Sequence, residues 1–319
     1  MSALDHVLRY GDRAMATTFE LMVFNEDPRI AESAATQVFA LIDRIEAQIS
    51  RFQDVSEVAM ISRLKPGEVY RVDRETMDLL LISTEICAAT GGAFDVTVGS
   101  VMDALRTVNH RWSALTEEER QDALATCGMN RLILDPDHFM VSVKPDRLGR
   151  PTPLQLDFGA IGKGFVIDLA CEMLERDWEM ENFLLHGGTS TVAARGSMGD
   201  GGEGWTINVG GDWRIRAGIE TLRISKGAIS GSGFEEQGFH VVDPRKGVAA
   251  ARHAGAWSYA ESAAWADGLS TAFLGMDWKE IESACEACPG CGALVVRDQA
   301  EWLDHVRRPV RTCGAFPRH

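Results

Sequence analysis

No stretch of the 319-residue chain approaches the ~20 consecutive apolar residues of a membrane-spanning helix, so no span is expected. A basic excess is also missing: 32 Lys and Arg face 47 Asp and Glu, a net charge of −15. Nucleic acid and anionic membranes both demand a basic face, so neither is expected as a partner. Residues 1–11 carry Asp5, His6 and Arg9 and lack the apolar run of a signal peptide. The seven cysteines are odd in number and lack the spacing of a disulfide framework, which favours a reducing compartment. A cytoplasmic location is expected, or a periplasmic one if a leader preceded Met1. No internal repeat and no linker divides the sequence.

What is present is an ordinary globular composition, 45% apolar and 25% charged, organised around Asp157–Asp168, DFGAIGKGFVID. An apolar, strand-like run from Pro153 to Phe158 leads into Gly159, Gly162 and Gly164, and a helical pattern follows from Phe165 to Leu174. A strand, a glycine turn and a helix start can face backbone amides toward an anion, and Lys163 adds a cation beside them. Asp157 is an acceptor for a sugar hydroxyl, a ring N–H or a metal. Neither the G-x-x-x-x-G-K-[ST] loop nor the G-x-G-x-x-G fingerprint fits, so a glycine connection without a ligand stays open on composition alone.

Around this stretch, Phe19, Leu21 and Val23 alternate as a strand, and Arg29–Ile49 carries Val38, Leu41, Ile42, Ile45 and Ile49 at helical spacing. Ser50–Ser62 reads as a polar loop with Phe52 exposed. Asp73 is expected to cap a helix ending at Ala89, and Asp277 with Glu280 to form a capping box. Arg131–Leu134, Phe139–Val143, Phe183–Leu185, Trp205–Val209 and Ala293–Arg297 read as strands. Without strict alternation of strand and helix the fold class is α+β. One large domain is expected over residues 1–297, followed by a weakly patterned tail, 298–319.

Four polar clusters stand out: Thr90–Thr97, Asp157–Asp168, Ser230–Gly247 and Asp267–Thr271. The last places a carboxylate and a hydroxyl four residues apart on one helix face, a pairing that suits Mg²⁺. Read in order, the sequence resembles the ApbE family, the FAD:protein FMN transferases. MATTF (15–19) is similar to the family's M-G-T strand, and SRFQDVSEVAMIS (50–62) to its S-x-[FY]-x₃-S loop. TGGAFDVTVG (90–99) matches T-G-G-A-F-D-x-T-V-G, and DFGAIGKGFVID matches D-L-G-G-I-A-K-G-x-x-x-D. FLLHGGTSTVAARG (183–196) is similar to the G-G-[DN]-I segment, FHVVDPRKG (239–247) to H-I-I-D-P-x-x-G, and ADGLSTA (266–272) to A-D-x-L-[SA]-T-A. Ala16, Ser62, Gly162 and Thr189 depart from the pattern, standing where the family usually has Gly, Asn, Ala and Asp or Asn.

The resemblance implies an ApbE-like, T-fold-like domain of mixed sheets with packed helices. It implies Mg²⁺-dependent transfer of FMN from FAD to a Thr or Ser of a target flavoprotein, with AMP released. Water as acceptor, giving an FAD pyrophosphatase, and a non-catalytic FAD-binding protein are the alternatives. The implied metal ligands are the Ala160 carbonyl, Asp267 and Thr271. The implied FAD contacts are Met15, Phe52, Ala93, Phe94, Asp95, Asp157, Lys163, His240 and Val241. Phe52 and Phe94 would offer flat apolar contact. Histidine titrates near neutrality, and His240, in the H-x-x-D-P motif, is the candidate base, with His186 its rival. Asp267 and His240 are thus the expected catalytic residues. Outside the pattern, Cys285, Cys288 and Cys291 have a spacing seen in iron–sulfur ligation, but they also follow a helix where cysteines pack as core. Thiols without a metal are expected.

Overall fold

The computed structural model describes residues 6–105, 115–199, 204–210, 219–233, 241–250, 252–296 and 310–317. The N-terminal part forms β1 (Val7–Ala14), β2 (Thr17–Phe24), α1 (Pro28–Ile49), α2 (Glu57–Ser62), β3 (Val69–Arg71), α3 (Arg74–Ala89) and α4 (Gly99–Leu105). Then come α5 (Glu117–Thr126), β4 (Leu132–Asp135), β5 (Met140–Val143), α6 (Gly162–Asp177), β6 (Phe183–Gly187) and β7 (Thr191–Arg195). Next are β8 (Trp205–Val209), β9 (Glu220–Ile224), β10 (Lys226–Gly233), β11 (Val242–Asp243), β12 (Val248–Ala249) and β13 (Gly255–Ala260). The chain closes with α7 (Ala263–Phe273), α8 (Trp278–Ala287), β14 (Gly292–Val296) and β15 (Val310–Gly314).

One antiparallel sheet dominates, in the order β1-β2-β6-β7-β10-β13-β14-β15. Its two faces are read directly from the period-2 pattern of its strands. In β2, Phe19, Leu21 and Val23 enter the large core beneath α1, α6 and α7, while Met22 and Phe24 turn to the opposite face. There the β8–β9 hairpin covers the sheet with Trp205, Ile207, Val209, Leu222 and Ile224. Helix α1 starts where Asp27 accepts the Arg29 N–H at 2.8 Å, with Pro28 in its first turn. It buries Val38, Ile42, Ile45 and Ile49, the stripe visible in the sequence.

Three local expectations change. The Ser50–Ser62 segment is not all loop: Ser56 caps α2, accepting the Ala59 N–H at 3.0 Å. Asp73 occupies the cap position of α3 without a side-chain cap bond. Pro153–Phe158 is extended but is not a strand. Leu154, Leu156 and Phe158 alternate into the core, yet Pro153 lacks an N–H, and only the Asp157 N–H to Val96 carbonyl (2.7 Å) and Gly99 N–H to Gln155 carbonyl (3.1 Å) bonds join it to residues 96–99. Within the tail beyond residue 297, β15 pairs with β14 from Gly292↔Gly314 to Val296↔Val310 at the sheet edge. Short strands with few apolar residues leave little trace in a sequence.

Cys285, Cys288 and Cys291 are buried against this edge, and the Cys285 and Cys313 sulfurs lie 3.7 Å apart. Burial pushes the Cys291 thiol up to about 12.

Candidate active site

The organising stretch folds as a turn entering α6, and it gathers residues far apart in sequence. Asp157 is fixed on both oxygens. Its Oδ1 accepts the Gly159 N–H at 2.8 Å, and its Oδ2 accepts Arg51 Nη1 at 2.8 Å. The other arm of Arg51 holds Asp103 at 2.7 Å, and the guanidinium lies 5.6 Å from the Phe52 ring centre. Phe52 itself is 77% exposed, a flat apolar surface open to solvent.

Helix α6 crosses α7 through Gly164, which leaves no room for a side chain: a Cβ there would lie 2.1 Å from the Ala263 carbonyl oxygen. Asp168, one turn on, receives the N-terminus of α7. It accepts the Ser262 hydroxyl at 2.6 Å and the Ala263 and Ala264 N–H groups at 2.7 and 2.9 Å. Burial raises its pKa, although these donors oppose the shift. Gly164 and Asp168 together fix where α7 lies, and α7 carries Asp267 and Thr271. Gly164→Ala is therefore expected to lower stability by ~1–3 kcal/mol or more, because backbone cannot yield. Gly162→Ala, whose Cβ would meet the end of Ile49 at 3.4 Å and Phe158 Cβ at 4.0 Å, both ordinary contacts, is expected to keep near-wild-type stability. Urea unfolding of both variants checks the contrast.

Asp267 is 3% exposed. Its Oδ2 accepts the Gly164 N–H at 3.1 Å and faces Lys163 Nζ at 3.6 Å. Its Oδ1 accepts the hydroxyls of Ser230 at 2.8 Å and Thr191 at 3.1 Å. Thr271, one turn along, donates to the Asp267 carbonyl at 3.3 Å and lies 3.3 Å from the Ser232 hydroxyl. Ala160 sits in the turn just before α6. A carboxylate, a hydroxyl and a carbonyl are hard oxygen donors, the chemistry Mg²⁺ takes. Among the described residues there is no group of three or more His, Cys, Asp or Glu side chains arranged for a metal, and this donor set is not of that kind.

The Met15 N–H donates to Glu46 Oε2 at 2.7 Å, and Met15 and Ala16 form the β1–β2 turn at φ 49° and 58°. Left-handed backbone costs a residue with a side chain ~1–2 kcal/mol, so this turn is strained at both positions. Ala93 and Phe94 are buried at 5% and 3%, and Phe94 lies against Gly268 of α7. Asp95 accepts the Thr97 N–H at 2.8 Å and hydroxyl at 2.6 Å, and burial raises its pKa. Val241 is buried and pairs its carbonyl with the Ala250 N–H at 2.9 Å. His240 lies outside the described residues. His186 turns to the face opposite Asp267, in a groove of about 390 Å³ with Leu184, Met22 and Val192. There its Nε2 lies 3.5 Å from Glu20.

The sequence alone gives no role to Arg51, Asp168, Thr191 or Ser230. Asp168 and Ser230 stood inside the polar clusters, but a lone Asp or Ser gives no sign of its partner. Only tertiary contact does.

The ApbE family model matches residues 15–295. The FAD:protein FMN transferase of Vibrio cholerae is 24% identical over 297 residues, covering 86% of this chain and 82% of that one. That of Treponema pallidum is 24% identical over 316 residues, covering 92% and 87%. Among solved structures, the flavin transferase ApbE of Vibrio cholerae superposes with a TM-score of 0.79 at 21% identity, covering 97% of this chain and 98% of that one. The ApbE protein of Thermotoga maritima gives 0.77 at 26% identity, covering 93% and 98%.

Proposed function

The chain belongs to the ApbE family, and from that membership and the geometry around Asp267 we propose that it is a transferase moving FMN from FAD to a Thr or Ser hydroxyl of a target flavoprotein, with Mg²⁺ required. The observation that carries the reading is the convergence of Asp267, Lys163 and the Gly164 amide at the start of α6. Pyrophosphate cleavage needs negative charge offset on the phosphates as the bond breaks. Lys163 supplies a cation there. Asp267, Thr271 and the Ala160 carbonyl would hold Mg²⁺, which when bound supplies Lewis-acid stabilisation of the same charge.

The bonds balance simply. The acceptor oxygen forms a bond to the FMN phosphorus, the pyrophosphate P–O bond breaks, and AMP leaves with the bridging oxygen. The hydroxyl proton passes to a base, for which His240 is our candidate. Phe52, exposed beside Arg51, and the Asp157 anchor offer contacts for FAD outside the reacting phosphates.

Incubation with FAD and MgCl₂ in the presence of acceptor protein, followed by chromatography, tests this. AMP is expected with Mg²⁺ and not with EDTA. FAD recovered intact under both conditions would instead mark a non-catalytic flavin-binding protein.

A further inference from the structure

Three neighbouring strands each place a hydroxyl at one level of the sheet, under α7. Thr191 of β7 is paired with Ser230 of β10, and Ser230 with Ser258 of β13. Their exposures are 1%, 0% and 0%. A sheet face packed on a helix is ordinarily apolar, since a buried hydroxyl without a partner costs ~1–3 kcal/mol. Here each hydroxyl meets an acceptor on α7. Ser258 donates to the Ala266 carbonyl at 2.7 Å. Ser230 and Thr191 both donate to the same atom, Asp267 Oδ1.

The two oxygens of Asp267 are therefore unlike. Oδ1 faces the sheet and carries two hydroxyl hydrogen bonds, which use its lone-pair directions. Oδ2 faces the start of α6, where it takes one backbone N–H, and the longer 3.6 Å approach of Lys163 leaves a direction open.

We propose that Thr191 and Ser230 are positioning residues that hold Oδ1 away from the metal, so that Asp267 meets its cation through Oδ2 alone, and that this one-oxygen ligation favours Mg²⁺ over Ca²⁺. The inference rests on the Mg²⁺-dependent reading of the site. Ca²⁺ takes more oxygen ligands at longer distances, and a carboxylate often serves it with both oxygens. Mg²⁺ demands a compact octahedron and is commonly met by single carboxylate oxygens and water. A carboxylate with one oxygen tied to the sheet cannot rotate to offer both.

The test is calorimetric titration of the whole protein with MgCl₂ and with CaCl₂. The proteins compared are the wild type, Thr191→Val, Ser230→Ala and the conservative Thr191→Ser, each checked for native melting. Loss of an outer-shell partner costs ~10–100-fold in metal affinity. Thr191→Val and Ser230→Ala are expected to lose about that factor for Mg²⁺ while Ca²⁺ binding holds or strengthens, so the Mg²⁺/Ca²⁺ ratio narrows. Thr191→Ser keeps the hydroxyl and should keep the ratio. A ratio unchanged in both Thr191→Val and Ser230→Ala, or equal losses for the two ions, would overturn the clamp while leaving the reaction intact. Absence of Mg²⁺ binding by the wild type, even with FAD present, would overturn the metal reading itself and the clamp with it.

Discussion

Asp267→Asn is expected to weaken Mg²⁺ binding by more than the ~10–100-fold typical of outer-shell losses, since it changes a proposed ligand itself. FAD turnover at low Mg²⁺ should fall with it and recover in part at high Mg²⁺. The substitution keeps the shape and removes the charge. The amide has few ways to sit. Its oxygen must face the Gly164 N–H and Lys163, because neither can accept a hydrogen bond, so its NH₂ turns toward Ser230 and Thr191. Their hydroxyls can rotate to accept it, and the fold is therefore expected to survive. What remains beside Lys163 is a neutral oxygen. Titration of activity against MgCl₂ checks this, and normal turnover at low Mg²⁺ would show that Asp267 is not a ligand.

The second large effect concerns His240. A Ser or Thr oxygen is a poor nucleophile until its proton is accepted, and general base catalysis contributes ~10²–10⁴ in rate. His240→Ala or His240→Gln should lose about that factor in turnover at saturating FAD while binding FAD with similar affinity. The described residues that follow it carry a buried anchor. Asp243, three residues on, is 3% exposed. Burial pushes its pKa up, but Arg245 and Lys246, at 2.9 and 2.8 Å, outweigh that and hold it below the usual carboxylate range. His186, the rival that precedes the Gly187–Gly188 pair, projects from β6 to the sheet face opposite Asp267. Fluorescence titration with FAD, paired with AMP release at saturation, separates the roles. A variant whose rate is restored by saturating FAD has lost a binding residue, not a base.

Much of the fold was legible because burial imposes periodicity. The stripe on α1, the alternation in β2 and the Asp277–Glu280 capping box all appear in the structure, the last with the Glu280 N–H at 2.9 Å from Asp277. The Asp267–Thr271 pair lies on one face of α7 because both are set by helical spacing. Features that depend on contact between distant segments could not be read. The Arg51–Asp157 bridge spans 106 residues and the Asp168–Ala263 cap 95. The hydroxyl row under α7 requires the register of three strands. β15 is a short polar strand whose identity comes from β14 beside it. Gly164 looked like a loop glycine available to a ligand, and its need for smallness comes from the Ala263 backbone.

The most direct test of the account is the mass of a flavin-free acceptor flavoprotein after incubation with this protein, FAD and Mg²⁺. The expected result is a gain of one FMN, located on a Thr or Ser by peptide mapping, with one AMP released per modified acceptor and no gain in EDTA. AMP and free FMN accumulating while the acceptor keeps its mass would contradict transfer and identify water as the acceptor.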